Sequence, residues 1–476
     1  MAKTKPLLDL TDESRSPTRI ILHLTWPLFL EQILTTLVSY ADTAMVGALG
    51  VNATASVAIC NSFVFLVNGV IMALGVGITA YVARSVGARN YEAARAYILH
   101  ALLFLIYLGI PISLLLIALH RAIPQWMGAE PVILDSAANY LLITSLFRIC
   151  NLTIMMLSGV FRGRGDTRTP LYINIAVNII NVAGNYLLIN PSHEIRLFSW
   201  SVPMIGAGLG VTGAALSTGF SWFIGAVLMI AMLFIKKDPT RLRLKDFTLR
   251  MDPVLVRRVV NISVPAMLER FCMSTASIVV SRSINSLGTV VTAANTVYLT
   301  AESISFMPGF AFATAATTLV GQALGAGKKD LAERFAYRTV AVGAAILTFS
   351  GAMIYVLARQ LVSFFTPDPQ AIGLAVQCLH QVAFIQPVQV TAWILAGALR
   401  GAGDTKWPFY ITAVCNWGIR TLGAYLCIRV FGMGLPEAVL CACADSTVRA
   451  LLTWLRFRTG KWQHALEEKA VAPESA

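Results

Sequence analysis

The sequence RGRGDTRTP at residues 162–170 returns at residues 400–408 as RGAGDTKWP. The two stretches stand 238 residues apart, which is half of the 476-residue chain. From residue 27 to residue 178 further pairs keep this offset without a gap: Pro27 with Pro265, Glu31 with Glu269, Gly50 with Gly288, Gly87 with Gly325 and Asn178 with Asn416. Chance does not hold one register over such a distance, so the chain is a tandem duplication of one structural unit.

The composition places this duplicated unit in a membrane. Hydrophobic residues make up 57% of the chain and charged residues 13%, against about 25% charged residues in an ordinary soluble domain. This excludes a cytosolic enzyme of ordinary composition, a disordered chain and a fibrous protein. A membrane helix needs roughly 20 mostly apolar residues. Twelve stretches qualify: 20–42, 55–82, 97–118, 134–157, 170–190, 205–235, 256–281, 291–319, 336–358, 372–398, 408–428 and 435–455.

The charged residues predict how these spans are oriented. Most of the 37 Lys and Arg residues lie near the two ends of the chain and in every second loop, among them the basic loop 236–258. The positive-inside rule then places both termini in the cytoplasm. It also explains the net charge of +13 without a nucleic-acid partner. Residues 1–19 are rich in charge and lack the apolar core of a signal peptide.

Each half of the duplication holds six spans, so both halves enter the membrane in the same orientation. We therefore predict an all-α integral membrane protein whose twelve transmembrane helices form two pseudo-symmetric six-helix lobes. The predicted regions are a cytoplasmic N-terminal segment (1–19), an N-lobe (20–235), a cytoplasmic linker (236–255), a C-lobe (256–458) and a cytoplasmic tail (459–476). Two such lobes favour a transporter that rocks about a central cavity over a static scaffold.

Motifs of enzymes and of ATP-driven transport are missing from the sequence. The eight Cys residues stand apart within apolar stretches without ligand-spaced His, so neither a zinc site nor a disulfide framework is expected. The phosphate-binding pattern GxxxxGK[ST] is absent. We interpret the glycines of RGxGDT as turn residues and its aspartate as a helix cap. With no catalytic dyad either, the sequence predicts a transport protein rather than an enzyme.

Asp42 is the residue that most clearly suggests a coupling site. It lies at the end of the first span, where an ionised carboxylate is costly unless it faces water or a partner. Its counterpart in the second half is Val280, so the shared architecture does not require an acid here. We interpret Asp42 as a proton or cation site. The alternative is an acid at the outer membrane surface.

Span 5 carries a ladder of four asparagines. Asn174, Asn178, Asn181 and Asn185 are spaced four, three and four residues apart, which puts them on one face of a helix. Amides on membrane helices can join neighbouring helices. Amide oxygens can also accept from a protonated carboxyl group or bind a cation. Because the ladder shares its lobe with Asp42, we favour a coupling pocket.

Three further acids and one proline complete the candidate residues. Glu31 precedes Asp42 by eleven residues and so lies on the same helix face, about 16 Å away. It has a counterpart in Glu269, so an architectural role suits it equally well. Glu302 lies inside span 8. Pro27 removes one helical hydrogen bond and permits a kink in span 1.

Residues 26–31 (WPLFLE), residues 41–47 (ADTAMVG) and both RGxGDT copies resemble the multidrug and toxic compound extrusion (MATE) family. The resemblance extends from about residue 18 to residue 458 and is closest to bacterial members. It implies an efflux antiporter for cationic amphiphilic drugs, driven by protons or sodium. It also implies that Asp42 is the coupling acid, that Asn181 and Asn185 face it, and that Thr218 belongs to the same cluster. The first helix is proposed in the family to bend at the proline matching Pro27.

Departures from the family pattern favour protons over sodium. Some members carry aspartate where this chain has Asn185. A sodium-coupled branch uses acids in the seventh and tenth helices. Here Met273 falls near the position of the seventh-helix acid, and span 10 contains glutamines but no acid.

We therefore predict a monomeric antiporter of a bacterial inner membrane that exports amphiphilic cationic compounds in exchange for protons. Its partners are small organic substrates and membrane lipid, with no nucleic acid, no ATP and no cofactor beyond the coupling ion. The alternatives are sodium coupling, a lipid-linked oligosaccharide flippase, and an organic-anion exporter. Arg148 and Arg420 in the cavity would favour the last.

Overall fold

A computed structural model describes residues 10–11, 14, 16–197, 200–243 and 247–465. Most of the predicted N-terminal segment 1–19, and the predicted tail beyond residue 465, lie outside the described residues. The N-terminal half contains α1 (Pro17–Gly47), α2 (Val51–Gly87), α3 (Tyr91–Phe104), α4 (Ile110–Ala118), α5 (Ala122–Trp126), α6 (Pro131–Leu146), α7 (Arg148–Gly163), α8 (Arg168–Ile189), β1 (Pro191–Leu197), β2 (Trp200–Ala207) and α9 (Gly210–Ile235). The C-terminal half contains α10 (Pro253–Asn285), α11 (Thr289–Gly325), α12 (Lys329–Phe365), α13 (Pro369–Gly401), α14 (Lys406–Cys415), α15 (Leu422–Arg429) and α16 (Leu435–Arg458).

These helices supply the twelve predicted membrane crossings, six in each lobe. Among the described residues, nine helical stretches are long and apolar enough to cross a membrane. One of the nine is α3 and α4, joined through the π-helical segment Leu105–Gly109, and the bent pair α6–α7 makes a tenth. The other two crossings are α10, which carries charged residues along its length, and α14–α15. A π-helical segment, Asn416–Thr421, joins α14 to α15. The predicted all-α fold of two six-helix lobes is confirmed.

A small antiparallel hairpin stands where the sequence predicts a plain loop. Strands β1 and β2 join α8 to α9, with Leu197 paired to Trp200. The predicted start of span 6 at residue 205 is therefore wrong, since α9 begins at Gly210. Hydropathy alone cannot separate an apolar strand from the first turn of an apolar helix. Gly208 and Gly210 have φ angles of 63° and 53°, a conformation that glycine adopts readily and that redirects the chain into α9.

The first helix of each lobe packs on the opposite lobe. Leu24 of α1 shares a buried cluster with Phe312 of α11. At the counterpart positions, Ile262 of α10 shares a buried cluster with Leu74 of α2. These two reciprocal contacts follow the repeat and bind the lobes together at one end of the molecule.

The lobes meet at the end that carries the RGxGDT loops. Helices α2 and α11 cross at their C-terminal ends, beside α7. There Gln322 Nε2 donates to the Gly163 carbonyl oxygen at 2.9 Å, and Thr318 Oγ1 donates to the Arg162 carbonyl oxygen at 3.0 Å. The cavity between the lobes is thus closed on the loop side.

The glycines of both RGxGDT loops take the turn role predicted for them, but only the first of the two aspartates takes the predicted cap role. Gly165 and Gly403 both have a φ of +83°, in the region that side chains with a Cβ rarely adopt. Asp166 Oδ1 accepts from the backbone N–H of Thr169 at 3.2 Å, at the start of α8. Asp404 instead accepts from Arg456 Nε at 2.9 Å. Each loop is therefore fixed to its own lobe.

The start of the predicted linker 236–255 is bound to the N-lobe rather than free. Lys236 forms an ion pair with Asp166. Buried Arg164 donates to Thr240 Oγ1 at 2.9 Å and pairs with Asp238 at 3.3 Å. The first five residues of the predicted linker, 236–240, thus belong structurally to the N-lobe. Residues 244–246 lie outside the described part of the chain.

The Asp166 carboxylate predicts a pH-dependent contribution to stability. Burial disfavours its charged form, but hydrogen bonds from Lys236 and Thr169 outweigh burial and hold the pKa of Asp166 below its ordinary value of 3.8. A carboxylate with a lowered pKa stabilises the fold above its ordinary pKa and loses that contribution as the pH falls through its folded-state pKa. Because Lys236 is partly exposed, we expect Asp166→Asn to lower the free energy of unfolding by about 1–2 kcal/mol at pH 7.

Thermal unfolding of the purified protein in detergent, followed from pH 7 down to about pH 3, measures this effect. The difference between wild type and Asp166→Asn should shrink as the pH falls below 3.8. Asp135→Asn is the matched control, because the 2.6 Å pair of Asp135 with Arg121 is exposed and worth under about 1 kcal/mol. Equal stability of wild type and Asp166→Asn at pH 7 would contradict the assignment.

Candidate functional site

A cavity of about 620 Å³ lies between the two lobes. Helices α1, α2, α7, α8 and α9 line it from the N-lobe, and α10, α11, α13, α14 and α16 from the C-lobe. Its C-lobe wall is aromatic, because the rings of Phe310 and Trp393 stack at 4.7 Å. Trp222 lines the N-lobe side. A cavity of this size and lining suits a drug-sized organic molecule, so it is the candidate substrate site.

Two repeat-related carboxylates reach this cavity already paired. Glu31 Oε1 accepts from Arg162 at 2.7 Å and from Asn174 Nδ2 at 2.8 Å. In the C-lobe, Glu269 Oε1 accepts from Arg400 at 2.7 Å and from Thr412 Oγ1 at 3.3 Å.

Arg162 and Arg400 are the first residues of the two RGxGDT loops, so each pair fastens the first helix of a lobe to that lobe's loop. This arrangement favours the architectural interpretation of Glu31 and Glu269. Neither arginine partner was predicted from the sequence, although each Glu–Arg pair recurs at the same 238-residue offset.

Asp42 lies in a separate cluster formed by α1 and α8. Asn185, which is 1% exposed, donates through Nδ2 to Asp42 Oδ1 at 2.5 Å. The amide of Asn181 is assigned from its hydrogen-bonding surroundings. Its nitrogen donates to Asp42 Oδ1 at 2.8 Å and its oxygen accepts from Thr218 Oγ1 at 3.2 Å. Two amide donors therefore meet at one half-buried carboxylate.

The asparagine ladder therefore serves two places rather than one. Asn181 and Asn185 both donate hydrogen bonds to Asp42, so they lie beside it as predicted. Thr218 donates to the amide oxygen of Asn181. Asn178 was predicted for the same pocket but lines the substrate cavity instead. The reason is the helix rise of 1.5 Å per residue, which separates Asn178 from Asn185 by about 10 Å along α8. A shared helix face does not bring residues to the same depth.

The other predicted residues lie as follows. Pro27 is buried inside α1, between the start of the helix and the residues that line the cavity. Glu302 is buried within the C-lobe beside Tyr298 and Arg420, away from the cavity lining. Arg148 is buried under the Trp222 ring at 4.9 Å.

Neither Arg148 nor Arg420 lines the cavity. Arg270, on α10, does line the cavity, and it has no carboxylate partner among the described residues. The alternative of an organic-anion exporter therefore gains its support from a residue other than the two first considered.

Comparison with known proteins agrees with this architecture. The model of the MatE family matches residues 27–187 and 265–426, one segment in each lobe. The probable multidrug resistance protein NorM of Thermotoga maritima is 27% identical over 448 residues, which cover 93% of this chain and 92% of that protein. The multidrug resistance protein MdtK of Edwardsiella ictaluri is 27% identical over 421 residues, covering 86% of this chain and 87% of that protein.

Solved structures share the fold. One is described as the outward-facing conformation of a multidrug resistance MATE family transporter of the MOP superfamily. It superposes with a TM-score of 0.85 at 21% identity and covers 97% of this chain and 99% of that one. At this level of identity the likeness establishes the fold alone.

Proposed function

This chain belongs to the MatE family of multidrug efflux transporters, and we propose on that premise that it exports amphiphilic organic compounds in exchange for protons. Its two lobes would expose the central cavity alternately to the two sides of the membrane. The proposed location is the inner membrane of a bacterium, with both termini cytoplasmic and the protein monomeric. The expectation of cationic substrates rests on the resemblance to the family.

The observation that carries the proposal is the separation of two sites along one helix. Asp42, with its amide donors, lies near one end of α1 and outside the cavity lining. Glu31 lies on the same helix and lines the cavity. A change of charge at Asp42 is therefore passed to the substrate site by the helical segment 31–42, which both sites share and which contains no proline.

Protonation of Asp42 removes the charge to which two amides donate. Hydrogen bonds to a charged group contribute about 1.5–3 kcal/mol each, so neutralising the carboxylate loosens the hold of α8 on α1. Helix α1 contains Pro27, which interrupts its hydrogen-bond pattern and provides a place to bend. Bending there would shift the α1 residues in the cavity wall and displace a bound substrate.

The proton gradient supplies enough free energy for this work. One proton moving inward releases about 2.3 kcal/mol per 100 mV and about 1.4 kcal/mol per pH unit. A single proton per cycle therefore supports roughly a hundredfold gradient of a neutral substrate. For a monovalent cation exchanged one for one, the voltage term cancels and the pH term remains.

Sodium is the second candidate ion, and one observation favours it. The amide oxygen of Asn185 is buried and has no hydrogen-bond partner among the described residues. Together with the Asp42 carboxylate it would offer oxygen ligands of the kind that hard cations prefer. The absence of a second carboxylate at residue 185 weakens such a site, and for this reason we retain protons.

Transport by wild-type protein in proteoliposomes tests the proposal. A pH gradient and a sodium gradient are imposed separately, with ethidium and with anionic and neutral dyes as substrates. Movement of any of these dyes with the pH gradient alone is the expected result. Movement with the sodium gradient alone would replace the ion but keep efflux. No movement of any dye under either gradient would overturn the proposed function.

A further inference from the structure

The charged side chains that line the cavity do not balance. Three guanidinium groups lining it are paired with carboxylates: Arg162 with Glu31, Arg400 with Glu269, and Arg449 with Asp445. The fourth, Arg270, has no hydrogen bond or ion pair among the described residues, and it is exposed to the cavity. Arginine stays protonated under all ordinary conditions, so the cavity carries one uncompensated positive charge.

The surroundings of Arg270 leave it free for a ligand. Its charged neighbours are Arg400 and Glu269. The Glu269 carboxylate already accepts from Arg400 and Thr412, so it is committed to the loop of its own lobe. Arg400 adds further positive charge beside Arg270. An anion entering the cavity would meet two neighbouring guanidinium groups, of which one has all its donors available.

We propose that the cavity binds an amphiphilic organic anion, with an aromatic body and a carboxylate or similar planar anionic head held by Arg270. A guanidinium group offers two parallel N–H donors that match a carboxylate in geometry and charge. The stacked rings of Phe310 and Trp393 line the same cavity from the same lobe and supply an apolar surface for the body of the ligand. This inference rests on the proposed efflux function and names the substrate class of its site.

The same arrangement disfavours a cationic ligand. Both carboxylates that line the cavity, Glu31 and Glu269, are neutralised by arginines. A cation would therefore meet Arg270 without an unpaired acid to hold it, and aromatic rings alone provide only a modest attraction for a cation. The charge of the cavity thus departs from the expectation of cationic substrates.

The duplication locates this preference in one lobe and provides a matched position. The counterpart of Arg270 is Gln32, which also lines the cavity and is also exposed to it. Exchanging these two side chains moves the guanidinium group across the pseudo-twofold axis without changing the composition of the cavity.

Binding of two dansyl probes to the full-length protein tests the inference. Dansylglycine is a monoanion and dansylcadaverine a monocation, and both carry the same naphthalene ring. Their affinities are measured by dansyl fluorescence in phosphatidylcholine nanodiscs. We expect wild type to prefer dansylglycine, and Arg270→Gln to weaken dansylglycine binding by about tenfold or more without weakening dansylcadaverine binding.

Three further variants keep the test decisive. Arg270→Lys retains the charge without the fork, so an intermediate loss is expected. The exchange Arg270→Gln with Gln32→Arg should restore most of the dansylglycine affinity. Arg338→Gln removes one charge from an exposed position on α12 outside the cavity and should leave both affinities unchanged.

Two outcomes would overturn the inference: a wild-type preference for dansylcadaverine, or equal dansylglycine affinity in wild type and in the folded Arg270 variants. Because the assay measures binding alone, it stays separate from the transport test. Dansylglycine binding that depends on Arg270, without movement of any dye under either ion gradient, would support the site and contradict the efflux function. Movement of ethidium with the pH gradient, without dansylglycine binding, would do the reverse.

Discussion

Asp42→Asn is expected to abolish transport driven by a pH gradient while leaving the protein folded. Asparagine has nearly the same shape as aspartate, but it cannot take up or release a proton. The amides of Asn185 and Asn181 donate to Asp42 Oδ1 at 2.5 and 2.8 Å. The side-chain oxygen of an asparagine at residue 42 can accept from them in the same way. Because the variant is fixed in the neutral form, the switch between charged and neutral states disappears, and coupling with it.

The measurement is initial-rate dye transport in proteoliposomes with an imposed pH gradient. Asp42→Glu, which keeps a titratable carboxylate, should retain part of the activity. Asp42→Asn combined with Val280→Asp should stay inactive. At the repeat offset, the C-lobe has Ile419 and Gly423 where the N-lobe has its two amides. Undiminished pH-driven transport by Asp42→Asn would rule out this residue as the coupling acid.

The fold could be predicted because two independent patterns agree along the chain. Duplication fixes the number of lobes, and hydropathy fixes the spans within each. Failures occurred where a short apolar stretch fits more than one structure, as at residues 205–207, the end of β2, which hydropathy joined to the start of span 6. The break near Phe147, where α6 and α7 meet at an angle of 52°, lies within the predicted span 134–157, which contains no proline or glycine to mark it.

The coupling site could be predicted only in part, because sequence spacing gives a helix face but not the partner of each residue. Asn181 and Asn185 share a helix face with Asn178, yet depth in the membrane assigns Asn178 to the cavity. Whether an arginine is paired with a carboxylate depends on contacts between helices that are distant in the sequence. Arg270 looks like any other intramembrane arginine in the sequence. Only the structure shows that the nearest carboxylate, Glu269, is already occupied.

Gly87→Val is expected to prevent closure of the lobes at the end that carries the RGxGDT loops. A Cβ atom on Gly87 would lie 2.0 Å from the backbone oxygen of Gln322, and one on Gly325 would lie 2.0 Å from the backbone oxygen of Arg84. The two helices therefore touch through their backbones at repeat-related glycines, where no flexible side chain can move aside. Overpacking at such a contact costs about 3 kcal/mol or more, which shifts the ratio of closed to open forms by about a hundredfold.

Spin labels placed at Glu92 and Asp330 report this change, because both residues are exposed at the start of repeat-related helices beside the crossing. In a cysteine-depleted background, Gly87→Val should lengthen the distance between the labels and stop transport. Gly69→Val is the matched control, since a Cβ atom on Gly69, in the same helix, would meet nothing within 4 Å. A closed-form distance in Gly87→Val would show that α2 and α11 can separate without opening the lobes. In that case the backbone crossing of α2 and α11 would not be the contact that opens and closes during transport. A longer distance between the labels would identify the crossing as the contact that the change of charge at Asp42 must release.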